Sequence, residues 1–152
     1  MRLLKHLDDR TKRIVMAKSS ISKLNFPVEQ TKLALSIKPC GLWYGFGPSW
    51  VEWVESEMPE WKGKYYYKLE VNENKLIQLS TYSDIINFTE KFFDREPGFI
   101  KWKDVAKKYS GIEINPYVHP SKYNVTWYYG WDVASGCIWK EDAIKSFEEI
   151  VK

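Results

Sequence analysis

Residues 65–71 read Tyr-Tyr-Tyr-Lys-Leu-Glu-Val. Tyr65, Tyr67, Leu69 and Val71 alternate with Tyr66, Lys68 and Glu70, the period of two that sends successive side chains to opposite faces of a sheet. Aromatic and β-branched side chains favour that pleated surface. The chain therefore has to build a sheet. Asn72-Glu73-Asn74 reads as a turn and 75–79 as a returning strand, which predicts a hairpin.

The aromatic residues set the second constraint. Eight Trp and ten Tyr lift the aromatic share to 16%, and disordered segments are poor in such residues. At 152 residues the chain is expected to form a single domain, 1–152, with a core of its own.

Along the chain, Leu3, Leu4, Leu7, Ile14 and Val15 give partial helical spacing over 1–18, ended by Ser19-Ser20. Leu33, Leu35 and Ile37 share one face of a predicted strand, and 42–46 predicts another. Ser49 with Glu52 has the form of a capping box, followed by Trp50, Trp53 and Val54 on one helical side. Ser83 is placed to cap a helix carrying Ile85, Phe88 and Phe92. Trp102, Val105, Ala106 and Tyr109 mark a further short helix, with Gly111 at its C-terminal cap. Strands are expected over 111–114, 125–133 and 137–139, and a closing helix over 140–151. The pattern predicts an α+β fold: a mainly antiparallel β-sheet with short flanking helices.

Several classes are disfavoured. The longest apolar runs fall far short of the roughly 20 residues that span a bilayer, so no membrane partner is expected. The basic start is followed by Asp8-Asp9-Arg10 rather than an apolar stretch, so no secretory signal is expected. Cys40 and Cys137 are read as reduced thiols of a cytoplasmic protein, and no metal is expected, because two Cys and two His do not match the common zinc spacings. No P-loop, dinucleotide glycine pattern or zinc-protease motif occurs. The formal net charge is +3, and residues 1–23 hold seven basic residues against Asp8 and Asp9. That segment suits nucleic-acid phosphates or an acidic partner, or forms a solvated face.

Four constellations carry candidate chemistry. Lys38-Pro39-Cys40-Gly41-Leu42-Trp43-Tyr44-Gly45 puts glycine beside aromatic rings, a shelf suited to a flat ligand or a strand packed into a core. Ser80-Thr81 can hydrogen-bond a ribose or serve the turn before a helix. Glu113, between isoleucines, either faces a cleft and steadies a cationic intermediate or stands exposed on an edge strand. Asp132 lies among apolar neighbours in the densest aromatic stretch, where an acid commonly has a partner or a raised pKa.

In their order, Gly41-Leu-Trp-Tyr-Gly, the Trp-bearing helix, Tyr65–Val71, Leu76-Ile-Gln-Leu-Ser80-Thr81 and Gly111-Ile-Glu-Ile resemble small ADP-ribosyltransferase-like domains, over about residues 35–139. The resemblance implies a split antiparallel sheet with NAD bound in its cleft. Tyr44 or Trp43 would stack on nicotinamide, and Glu113 would promote cleavage of the nicotinamide–ribose bond. Ser80-Thr81 looks like the Ser-Thr element of one branch, and Lys38 stands nearest the family's basic residue on its first strand. ADP-ribose would pass to a macromolecular acceptor. The alternative is a non-enzymatic, aromatic-rich module that binds nucleic acid or a protein, as an accessory or viral inhibitor protein would.

Overall fold

A computed structural model of the chain describes residues 2–30, 38–95, 99–119 and 125–150. The predicted strand at Leu33–Ile37 lies outside the described residues. In order, the elements are α1 (Arg2–Asp8), β1 (Arg13–Ala17), β2 (Leu42–Phe46), α2 (Ser49–Glu57), β3 (Tyr65–Val71), β4 (Leu76–Leu79), α3 (Tyr82–Phe92), β5 (Phe93–Asp94), β6 (Phe99–Ile100), α4 (Trp102–Lys108), β7 (Gly111–Ile114), β8 (Ser135–Ile138) and β9 (Ile144–Glu149). Seven strands form one mixed sheet in the order β4-β7-β8-β2-β1-β3-β9, and β5 and β6 form a separate two-stranded ribbon. The fold is α+β and mostly antiparallel, with one parallel pair, β4 and β7.

The sheet has to curl. Strand β3 ends at Val71 and β4 begins at Leu76, yet the two stand five strand spacings apart in the sheet order. In a flat sheet that is about 24 Å, while the connecting chain reaches at most about 18 Å. Residues Glu73–Lys75 form a 3₁₀ turn across the gap. Asp142, just before β9, accepts from the Ser110 hydroxyl beside β7 and pairs with Lys75 beside β4, tying the two ends of the sheet together.

Curling gives the sheet two unlike faces. On one, Ile112, Ile114, Cys137 and Leu79 pack against α3 and α4 through Ile85, Phe88, Trp102 and Val105. The indole N–H of Trp127 donates to Thr89 Oγ1 and that of Trp139 to Tyr109 C=O, so these buried rings keep their polar atoms paired. On the other, Tyr44, Phe46, Val15, Tyr67, Leu69 and Ile138 form a second core.

Several expectations are corrected. No hairpin joins β3 to β4: β3 pairs β1 and β9, and β4 pairs β7 in parallel, its crossover running through α3 and α4. The predicted helix 140–151 is instead a 3₁₀ turn, Glu141–Ala143, and strand β9, which covers the open edge of β3 and stacks Phe147 on Tyr67 at 4.7 Å. Residues 1–18 divide into α1 and β1, because Ile14 and Val15 are buried between β2 and β3. Residues 126–130 form a 3₁₀ helix rather than a strand.

The caps also differ. Ser49 lies inside α2, accepting from Phe46 N–H and donating to Ala134 C=O. Thr81, not Ser83, caps α3, and Asp84 completes the capping box. Gly111 opens β7 instead of capping α4, where a Cβ would stand 2.7 Å from Cys137 C=O.

Candidate functional site

Strand β2 delivers Trp43 and Tyr44 to opposite sides of the sheet, because neighbouring residues alternate. Trp43 leans on Trp131 at 5.0 Å between centroids, tilted by 54°. Trp131 follows the 3₁₀ helix Thr126–Gly130 and is 1% exposed. Trp50, from the first turn of α2, supplies another wall. Together with Lys38, Asp132 and Ser135 these residues line a cleft of about 310 Å³. Its walls are aromatic and its polar groups few, the usual make-up of a small-molecule site.

Two charges border the cleft. The Lys38 ammonium lies 5.5 Å from the Trp43 ring centroid, within cation–π range. Burial lowers the Lys38 pKa, and the charge of Asp132 acts in the opposite sense. The Trp131 indole N–H is buried without an acceptor among the described residues. A buried donor left so costs on the order of 1–3 kcal/mol.

Behind Tyr44 lies Glu113, 2% exposed. Gln78, Glu113, Gly136 and Tyr44 share one row across β4, β7, β8 and β2. Gly136 has no side chain, so the Tyr44 ring lies over it; a Cβ there would sit 2.5 Å from Tyr44 Cζ. The Tyr44 hydroxyl donates to Glu113 Oε2 at 2.6 Å, and Gln78 Nε2 donates to Oε1 at 3.0 Å. Arg13 completes the set, with Nε to Oε2 and Nη2 to Oε1, the latter 2.9 Å. Four donated bonds fill the roughly four acceptor positions of a carboxylate.

The electrostatics follow from this packing. Burial disfavours charge on Arg13, and the hydrogen bonds and charge of Glu113 outweigh it, leaving the guanidinium pKa above its ordinary value. Burial first, and then the adjacent Glu113 charge, push the Tyr44 phenol well above its usual range. Glu73 accepts from Arg13 Nη2 at 3.0 Å, which holds its carboxyl below the usual value.

Of the residues singled out in the sequence, Lys38, Trp43, Tyr44 and Asp132 line one cleft. Glu113 sits on the opposite face of the sheet, bonded to the Tyr44 hydroxyl, and does not line the cleft. It is neither on a sheet edge nor exposed, since β7 runs between β4 and β8. Gly41 packs on β8, where a Cβ would meet Ile138 C=O at 2.3 Å, so its missing side chain serves strand packing. Ser80 and Thr81 hold the start of α3 through Asp84 and do not line the cleft. The basic segment 1–23 spends two of its charges internally: Arg10 pairs with Glu52 and Arg13 with Glu113.

Sequence reasoning missed Arg13, Gln78 and the purpose of Gly136. Arg13 and Glu113 are 100 residues apart, and no local pattern joins them. Cys137 is buried, and burial pushes its thiol pKa up, as befits an inert core thiol. Among the described residues no group of three or more His, Cys, Asp or Glu could hold a metal ion, and no helix is long and apolar enough to cross a membrane. No family model, curated protein or solved structure matches the chain.

Proposed function

We propose that the tryptophan cleft binds a flat heteroaromatic ring, such as nicotinamide or a nucleobase. The observation that carries this reading is the convergence of Trp43, Trp50 and Trp131 on one cleft that also holds Lys38 and Asp132. Aromatic walls stack on a ring, and the charged pair can orient its polar edge. Trp131, in the same wall, carries an indole N–H that is buried without an acceptor among the described residues.

NAD is the ligand that the resemblance to ADP-ribosyltransferase-like domains names. Cleavage of its nicotinamide–ribose bond needs a carboxylate that faces the ribose. Glu113 is buried with its acceptor positions filled and does not line the cleft, so it serves the core network rather than a ligand. Asp132 is the carboxylate that lines the cleft, and any glycosidic chemistry belongs to it.

Titration with nicotinamide, adenine and NAD, read by tryptophan fluorescence, tests the binding. Saturable quenching by at least one of them is expected; none from any would overturn the reading. Turnover is tested apart from binding, by following free nicotinamide from NAD with wild-type protein and Asp132→Asn. Release that persists in the variant would remove Asp132 from the chemistry.

A further inference from the structure

The tryptophan cleft does not end at Asp132. Asp132 and Val133 also line a second, more open groove of about 580 Å³, between α2 and the loop that follows β7. The two hollows share another wall. Trp50 lines the first and Trp53 the second, and their rings stack at 5.1 Å, only 10° from parallel. A ligand whose ring lies in the tryptophan cleft would thus extend its substituent past Asp132 into the second groove.

The chemistry of that groove is selective. Among the described residues its carboxylates are Glu52, Glu57 and Asp132, against one guanidinium, Arg10, and His119. Arg10 is already held by Glu52 at 2.9 Å. Ionised carboxylates accept hydrogen bonds and cannot donate them. They therefore suit the hydroxyl donors of a sugar and repel phosphate, whose oxygens are acceptors carrying the same charge. The amide of Asn115 and the hydroxyl of Ser56 add adaptable partners, and the Trp53 face suits the apolar side of a sugar ring. Trp131, whose indole N–H is buried and unpaired among the described residues, lines the adjoining cleft.

We propose that the two hollows form one site for a nucleoside-like ligand, ring in the tryptophan cleft and sugar in the acidic groove, and that the groove rejects phosphate. This rests on the ring-binding reading above. It departs from whole NAD as the preferred ligand, because the pyrophosphate would meet Glu57 and Asp132.

The test compares adenine, adenosine and adenosine monophosphate, and nicotinamide, its riboside and its mononucleotide, by calorimetric titration of the full chain. In a series whose ring binds, the nucleoside should bind about tenfold tighter than the free ring, as one or two added hydrogen bonds provide. The monophosphate should bind more weakly than the nucleoside. Glu57→Gln, on an exposed residue of α2, should erase most of the nucleoside advantage and leave ring affinity unchanged. A monophosphate that binds tighter than its nucleoside overturns the proposal, and so does a nucleoside no tighter than its ring. In both of those results the ring-binding cleft stands. Failure of both rings to bind overturns the cleft and this proposal together.

Discussion

The Tyr44 hydroxyl reaches Glu113 Oε2 at 2.6 Å by lying across Gly136, the one position between them in the sheet row. The contact ties strand β2 to a buried ion pair, Arg13–Glu113, on the sheet face opposite the Trp43 ring. Strand β2 thus carries the core network on one face and the aromatic cleft on the other.

Gly136→Ala tests that crossing. Its new Cβ would meet Tyr44 Cζ at 2.5 Å, closer than side chains approach, and the ring would have to move. Overpacking of this kind costs about 1–3 kcal/mol. Urea denaturation should show a loss in that range, and an unchanged midpoint would mean that the ring does not lie over Gly136. Tyr44→Phe keeps the ring and removes only the bond to a charged acceptor, which is worth about 1.5–3 kcal/mol.

Glu113→Gln should destabilise the protein by about 3–5 kcal/mol, because it leaves the Arg13 charge without its main partner in a largely buried setting. Loss of any activity in that variant would then reflect unfolding as much as chemistry. Asp132→Asn, at an exposed position, should leave the melting temperature within about a degree or two, since surface changes stay near ±0.5 kcal/mol. Stability of both variants measured side by side decides this; a Glu113→Gln protein as stable as wild type would contradict the network.

The start of α3 gives a pH prediction. Backbone hydrogen bonds from Ser80 and Thr81, with the Thr81 side-chain contact, hold the Asp84 carboxyl below its ordinary 3.8. A carboxyl whose folded pKa is depressed stabilises the protein above the unfolded value, and that stability is lost as pH falls through the folded value. Asp84→Asn should therefore be less stable than wild type near neutrality, and the gap should close below pH 3.8. Thr81→Ala should cost about 1 kcal/mol near neutrality, as loss of an N-cap does. Denaturation at a series of pH values checks both.

Where the sequence was legible, the signal was local. The alternation of 65–71 appears as β3, and the spacing of Ile85, Phe88 and Phe92 as the buried stripe of α3. Long-range geometry left no such trace. The hairpin expectation failed because β4 finds its partner in β7, beyond two helices, and the curl of the sheet lets a four-residue link do a crossing's work. Residues 144–149 carry helix-compatible spacing, but the bare edge of β3 and the Tyr67 ring draw them into a strand. The cleft was half legible: the aromatic density around Lys38–Tyr44 and Asp132 pointed to it, while Arg13 at the far end of the Glu113 pair did not.

The central claim is that a flat ring lies in the cleft lined by Trp43, Trp50 and Trp131, and indole N–H resonances in a ¹⁵N-correlated NMR spectrum report on it directly. With nicotinamide or adenine added, the signals of Trp43 and Trp131 should shift in a saturable way and share one Kd. Those of Trp61, exposed in the 3₁₀ turn Pro59–Trp61, and Trp102, buried at the start of α4, should stay in place. Trp43→Leu, which removes a half-buried ring, should abolish the shift of Trp131. Shifts confined to Trp61, or none at all, would contradict the account.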